Sequence, residues 1–178
     1  KLSLPINSFY PNDLGIKWLA RFHITAALIN QYQIQWSEKE KALVFPTYNN
    51  KELIFYQLRY FEKGKPKWRS YGVKPLIFLG NPAPAVLVED YLSAIRVGEV
   101  ATGIPLFGST IPTKNLLTIR EQYDNIIIWL DYDKVQDKKT KEIIASCKAI
   151  FKETYQIITE KDPKAYTSKE IKDRINSI

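Results

Sequence analysis

The chain has 178 residues, 45% of them hydrophobic, enough to bury a core in one domain or two small ones. Its 26 Lys and Arg exceed 19 Asp and Glu, a formal charge of +7, while a single Cys and a single His exclude an internal disulfide and a zinc site of the usual ligands. No apolar run approaches the roughly 18 residues of a membrane span, so no membrane partner is expected.

In chain order, Asn12 or Asp13 can cap a helix reaching about Phe22, Thr25 can cap a second reaching about Tyr32, and a strand region begins at Trp36. Strands near 42–48 and 53–61 are joined through the turn at 48–51 as a hairpin, and 64–66 ends the second. Within 59–74, Arg59, Lys63, Lys65, Lys67, Arg69 and Lys74 are opposed only by Glu62 and interleaved with Tyr60, Phe61, Trp68 and Tyr71. Cations track a phosphate backbone and rings stack on bases, so this composition suits single-stranded nucleic acid or nucleotides. A solvated hairpin with its rings turned to the core has the same composition, and alternate residues of one strand allow both. Residues 1–80 hold 12 Lys and Arg against 5 acids, and residues 81–178 hold 14 against 14, so the whole formal excess lies in the first half. Gly80-Asn81-Pro82-Ala83-Pro84 then breaks the pattern and marks the expected boundary between a segment 1–80 and a segment 81–178.

Ala85-Val86-Leu87-Val88 reads as a short buried strand that ends at Glu89 and leads into a helix. Gly103-Ile104-Pro105-Leu106-Phe107 reads as another, closed by Gly108-Ser109, and Asn125-Ile126-Ile127-Ile128-Trp129-Leu130 as a third, closed by Asp131 and Asp133. Uninterrupted apolar strands alternating with helices predict a parallel sheet covered on both faces, with the three strand ends aligned on one edge. Ligands bind at that edge in open α/β sheets. Carboxylates held close repel one another unless a cation lies between them, and hard oxygen donors suit Mg²⁺. Asp is also common in turns after strands, which leaves the Asp-x-Asp pair undecided on its own. Beyond it, 135–154 is predicted as a long helix with Ile143, Ile144, Cys147, Ile150 and Phe151 on one face, followed by a strand at 156–159 and a helix from Ser168. The predicted class is α/β, an α+β basic N-terminal subdomain followed by a parallel-sheet subdomain.

Glu89, Asp131, Asp133 and the turn at Gly108 resemble the Toprim domain of DnaG-type primases, topoisomerases and some nucleases, in which a Glu closes the first strand and an Asp-x-Asp a later one. Asp90 stands where that family usually has Gly, and Ser93 where it often has Asp. Glu160-Lys161-Asp162-Pro163-Lys164-Ala165-Tyr166 resembles the Asp-Pro element that follows the last Toprim strand in primases. Phe45-Pro46, Gln57-Leu58-Arg59, Pro66-Lys67-Trp68, Gly72 and an apolar strand Leu76-Ile77-Phe78-Leu79 resemble, in that order, the basic subdomain ahead of Toprim in DnaG-type and bacteriophage primases. The resemblance covers about 14–170. It implies a DNA primase core, a nucleotidyltransferase that makes RNA primers on single-stranded DNA from ribonucleoside triphosphates. Glu89, Asp131 and Asp133 are its implied catalytic and metal residues, with Mg²⁺ or Mn²⁺ as the cofactor. Arg59, Lys67, Arg69 and Lys161 are the candidate nucleotide- or template-binding cations. The expected setting is the cytoplasm, nucleoid or infected host cell, beside a replicative helicase. The absence of Met suggests a fragment of a longer replication protein. A Toprim nuclease using the same acids and a non-catalytic DNA-binding or helicase-docking module are the alternatives.

Overall fold

The computed structural model describes residues 1–80 and 82–178; Asn81, in the expected boundary segment, lies outside the described residues. The chain divides into two compact units, Lys1–Pro75 and Leu76–Ile178.

The first unit is built on a five-stranded antiparallel sheet. Its elements are β1 (Ser8–Phe9), α1 (Asp13–Ala20), α2 (Ala26–Gln31), β2 (Gln35–Ser37), β3 (Ala42–Asn49), β4 (Glu52–Tyr60) and β5 (Trp68–Gly72), and the strands pair in numerical order. The two predicted caps are present. Gly15 N–H donates to Asn12 Oδ1 at 2.9 Å, and Leu28 N–H donates to Thr25 Oγ1 at 3.3 Å. Asn50 and Lys51 both adopt positive φ, 48° and 65°, which matches the twist of the β3–β4 hairpin they connect. Pro46 lies inside β3, where a missing N–H is tolerated because β2 pairs only as far as Val44. One face of the sheet packs Ala42, Val44, Tyr56, Leu58 and Tyr60 into a core cluster. β5 was not among the predicted strands; it is an almost wholly exposed edge strand and so carries no apolar alternation.

The second unit is a doubly covered parallel sheet. It comprises β6 (Ala85–Val88), α3 (Tyr91–Val97), β7 (Thr102–Pro105), α4 (Thr113–Gln122), β8 (Asn125–Ile128), α5 (Lys138–Ile150), β9 (Glu153–Gln156) and α6 (Ser168–Asn176), with strand order β7-β6-β8-β9, all parallel. Alternate strand residues enter different cores. Leu87, Ile104, Ile126 and Ile128 pack with Leu116 and Ile119 of α4 and with Ile143 and Cys147 of α5. Val86, Val88, Ile127 and Trp129 pack with Ala94 and Val97 of α3 and with Ile171 and Ile175 of α6. Burial on both faces is why these strands read as unbroken apolar runs. α3 crosses β7 so closely that a Cβ on Gly103 would lie 2.3 Å from the Ala94 carbonyl oxygen. Among the described residues, no helix is long and apolar enough to cross a membrane.

Three local expectations change. Residues 76–79 form no strand; only Leu79 bridges Gly103, through mutual N–H to O bonds of 2.9 and 2.8 Å. The predicted helix at 135–154 is a 3-10 turn at Tyr132–Lys134 followed by the shorter α5, since Asp137 is extended (φ −63°, ψ 143°). The last strand is Glu153–Gln156 rather than 156–159, because it must start level with β8, and its register begins at Asn125↔Glu153. As an exposed edge it carries no apolar signal.

Candidate active site

The order β7-β6-β8-β9 reverses direction between β6 and β8, and the cleft beyond the carboxyl ends of such neighbours is where open α/β sheets bind ligands. Glu89 directly follows β6. After β8 the chain stays beside β6 through Trp129, whose N–H donates to the Leu87 carbonyl at 2.9 Å, and then delivers Asp131 and Asp133 to the same edge. Ligand oxygens of Glu89, Asp131 and Asp133 lie within 4.8 Å of one another. Glu89 and Asp131 are half-buried, and Asp133 is exposed. Glu89 Oε2 and Asp131 Oδ1 are buried atoms without a hydrogen-bond partner. A buried carboxylate oxygen left unpaired is costly, so this pair of hard donors suits a divalent cation. Glu89, Gly108, Ser109 and Lys134 line a small cavity at this edge.

Burial, then repulsion from Asp90, Glu89 and Asp162 against the opposing pull of Lys164, pushes the Asp131 carboxyl up to about 8. Burial and then Asp90 likewise raise Glu89, with Lys134 opposing. A carboxyl whose pKa rises on folding holds its proton more tightly in the folded chain, so its contribution to stability is complete at low pH and is lost as pH rises. Metal-free protein is therefore expected to lose stability between the ordinary carboxyl range, about 4, and about 8. The Asp131→Asn variant should flatten that decline in a Tm series against pH with a chelator present. Parallel curves for the two proteins would contradict this.

A second acid group shares Asp131. Ligand oxygens of Asp90, Asp131 and Asp162 also lie within 4.8 Å of one another. Asp90 caps α3, its Oδ1 accepting the Ser93 N–H at 2.8 Å, which shows how the turn closes without the glycine of the Toprim pattern. Lys164 Nζ lies 2.5 Å from Asp90 Oδ2 and 3.1 Å from Asp162 Oδ2. Burial lowers the Lys164 pKa, but Asp90, Asp131 and Asp162 together outweigh it and hold the ammonium charged. Arg96, 1% exposed, fastens this segment. Its guanidinium donates to Glu99 Oε2 at 2.7 Å, the Tyr166 carbonyl at 2.9 Å and Ser168 Oγ at 3.0 Å. Sequence reasoning missed both Arg96 and Lys164. A signal for Arg96 exists, since a lone Arg in the otherwise apolar or small-residue helix Tyr91–Val97 must find buried partners.

In the first unit, the Arg59 guanidinium is 4.9 Å from the Phe61 ring, 5.3 Å from Trp18 and 6.0 Å from Trp68, and it donates to the Tyr60 carbonyl. Arg59 is thus held among rings. Lys67 and Arg69 are exposed, with Arg69 Cζ 5.8 Å from the Tyr60 ring. Lys161 is exposed in the second unit, in the segment leading to Lys164.

By sequence, no protein-family model and no curated protein matches the chain. Solved structures do match. The Aquifex aeolicus primase zinc-binding and RNA polymerase domains align with a TM-score of 0.61 at 17% identity over 95% of this chain and 50% of that one. The E. coli primase catalytic core aligns at 0.65 and 12% identity, over 91% and 71%. A DnaG primase catalytic domain bound to ssDNA aligns at 0.58 and 12%, over 89% and 61%. The chain spans about half the length of the Aquifex protein. Its mixed architecture, an antiparallel sheet followed by a four-stranded parallel one, is the fold of DnaG-type primase catalytic cores.

Proposed function

We propose that the chain is the catalytic core of a DNA primase, joining ribonucleoside triphosphates into short RNA primers on single-stranded DNA, with 1–80 as its basic subdomain and 81–178 as a Toprim subdomain. The observation that carries this reading is the convergence of Glu89, Asp131 and Asp133 at the switch point of a sheet that primase cores share. The donor set fits Mg²⁺ or Mn²⁺, being all carboxylate oxygen, with two buried atoms lacking other partners. Glu89, Asp131 and Asp133 would hold that cation, and it would supply positive charge against the negative charge that develops during transfer. Glu89 and Asp131, set by neighbouring strand ends, fix the position of that charge. Asp133 is exposed on its turn and faces the solvent from which substrate arrives. The 3′-hydroxyl of one ribonucleotide gives up its proton to solvent as its oxygen bonds to the α-phosphorus of the next, the α–β anhydride breaks, and pyrophosphate leaves. No side chain serves as nucleophile, since positioning and charge supply the stabilisation.

Exposed Lys67, Arg69 and Lys161 would contact triphosphate or template, and Arg59 would stiffen the ring face on which bases stack. The ssDNA-bound neighbour supports a single-stranded template. The reading places the protein in the cytoplasm of a bacterium or phage-infected host, working with a replicative helicase. Lys67→Ala is expected to weaken single-stranded DNA binding and to reduce the slope of log K against log salt by about one, roughly one phosphate contact. An unchanged slope would refute the phosphate role.

The direct test supplies this chain with single-stranded DNA of mixed sequence, labelled ribonucleotides and Mg²⁺ or Mn²⁺. Short RNA products establish the primase reading. Degradation of the DNA would replace it with a nuclease, and DNA binding without any product would replace it with a binding module.

A further inference from the structure

Five carboxylates converge at the edge of the parallel sheet, and the structure treats its two overlapping acid groups differently. In the group of Glu89, Asp131 and Asp133, one oxygen each of Glu89 and Asp131 is buried and unpartnered, and the nearby ammonium of Lys134 is 3.5 Å from the exposed Asp133. The group of Asp90, Asp131 and Asp162 already holds a cation, the Lys164 ammonium. Both Asp90 oxygens are engaged, Oδ1 by the Ser93 N–H and Oδ2 by Lys164.

We propose that Lys164 is a resident cation of the acid cluster, so that the centre takes one divalent ion, on the Glu89 side, and the ammonium supplies the second fixed positive charge. This rests on the reading of Glu89, Asp131 and Asp133 as metal ligands. Phosphoryl-transfer centres with two metals set their ions about 3.5–4 Å apart to clamp the attacking and leaving oxygens. A divalent ion needs its oxygens at about 2.0–2.6 Å, and on Asp90 and Asp162 it would have to displace an ammonium that sits 2.5 and 3.1 Å from them. The ammonium is not loosely held. The Lys164 side chain is 14% exposed, its carbonyl accepts from Arg96 Nη1 at 3.4 Å, and buried Pro163 precedes it in a 3-10 turn. Unlike an ion, a tethered ammonium leaves its charge in place when metal is scarce. It cannot coordinate and acidify a hydroxyl, so that role would be left to the divalent ion held by Glu89, Asp131 and Asp133.

Mn²⁺ alone, titrated into the 178-residue chain and counted by electron paramagnetic resonance, tests this. The expected result is one tight Mn²⁺ in the native chain, none in Asp133→Asn at the same concentrations, two in Lys164→Ala, and one in Lys164→Arg, where the charge is restored. A purely structural lysine would not change the count. Circular dichroism verifies folding, and Lys164→Gln replaces Lys164→Ala if the latter does not fold. Two tight ions in the native chain, or a single ion after loss of the ammonium, would overturn the role of Lys164 while leaving the metal reading intact. No tight ion in the native chain would overturn both.

Discussion

Asp131→Ala and Glu89→Ala are expected to lose primer synthesis by about a thousandfold or more, because a correctly held ion contributes several kcal/mol of charge stabilisation and each 1.36 kcal/mol is a factor of ten. The fold should survive. Neither side chain holds the cores together, and the Asp131 carboxyl, pushed up to about 8, opposes folding at neutral pH. The metal-free Asp131→Ala protein should therefore melt no lower than the native chain at pH 8, the sign expected of a group whose pKa rises on folding. Primer synthesis by rate and stability by Tm read the two effects separately. Full activity in either variant would remove these acids from the mechanism. A large drop in Tm would instead make their role structural.

Arg96→Ala should be among the most destabilising single changes in the second unit, by about 3–5 kcal/mol, as for the loss of one member of a buried charged network. Its guanidinium is 1% exposed and joins α3 to Glu99, the Tyr166 carbonyl and Ser168. Truncation removes the donor that the Tyr166 carbonyl, Glu99 and Ser168 share and opens a cavity beneath the segment that carries Asp162 and Lys164. Arg96→Lys should recover only part of the loss, since an ammonium cannot reproduce the planar fork. Tm measures the size of the effect. Amide hydrogen exchange locates it, and protection should fall first across 163–168 while β6 and β8 remain protected. Uniform loss of protection throughout the sheet would contradict an anchoring role confined to this segment.

The parallel half was legible wherever a single local property sufficed. Val86 to Val88 and Ile126 to Trp129 are apolar because both sheet faces are covered, so their position and their acidic ends could be read directly. β9 could not be read so, because Glu153, Thr154, Tyr155 and Gln156 form an exposed edge and the neighbouring Ile157 and Ile158 drew the expectation onward. The helix expected from Val135 had a sound apolar face, but its first turn is given up to the loop that presents Asp133. In the basic half the ring-and-cation composition was visible, whereas its division was not. Arg59 is held by Phe61 and Trp18, while Lys67 and Arg69 remain open to solvent.

By itself the sequence determined the class of each half, a helix cap at Asn12 or Asp13, the cap at Thr25, a hairpin turn within 48–51, and the strand ends that carry Glu89, Asp131 and Asp133. All of these depend on residues near one another in the chain. Only the tertiary structure decided that Asp131 belongs to two acid groups at once, and that Lys164 enters one of them on a segment fastened by Arg96, 68 residues earlier in sequence. The physical reason is the range of the interactions. Caps, turns and alternation act within a few residues, whereas the electrostatics of a strand-end cluster depend on which distant loops the crossovers bring to the same edge.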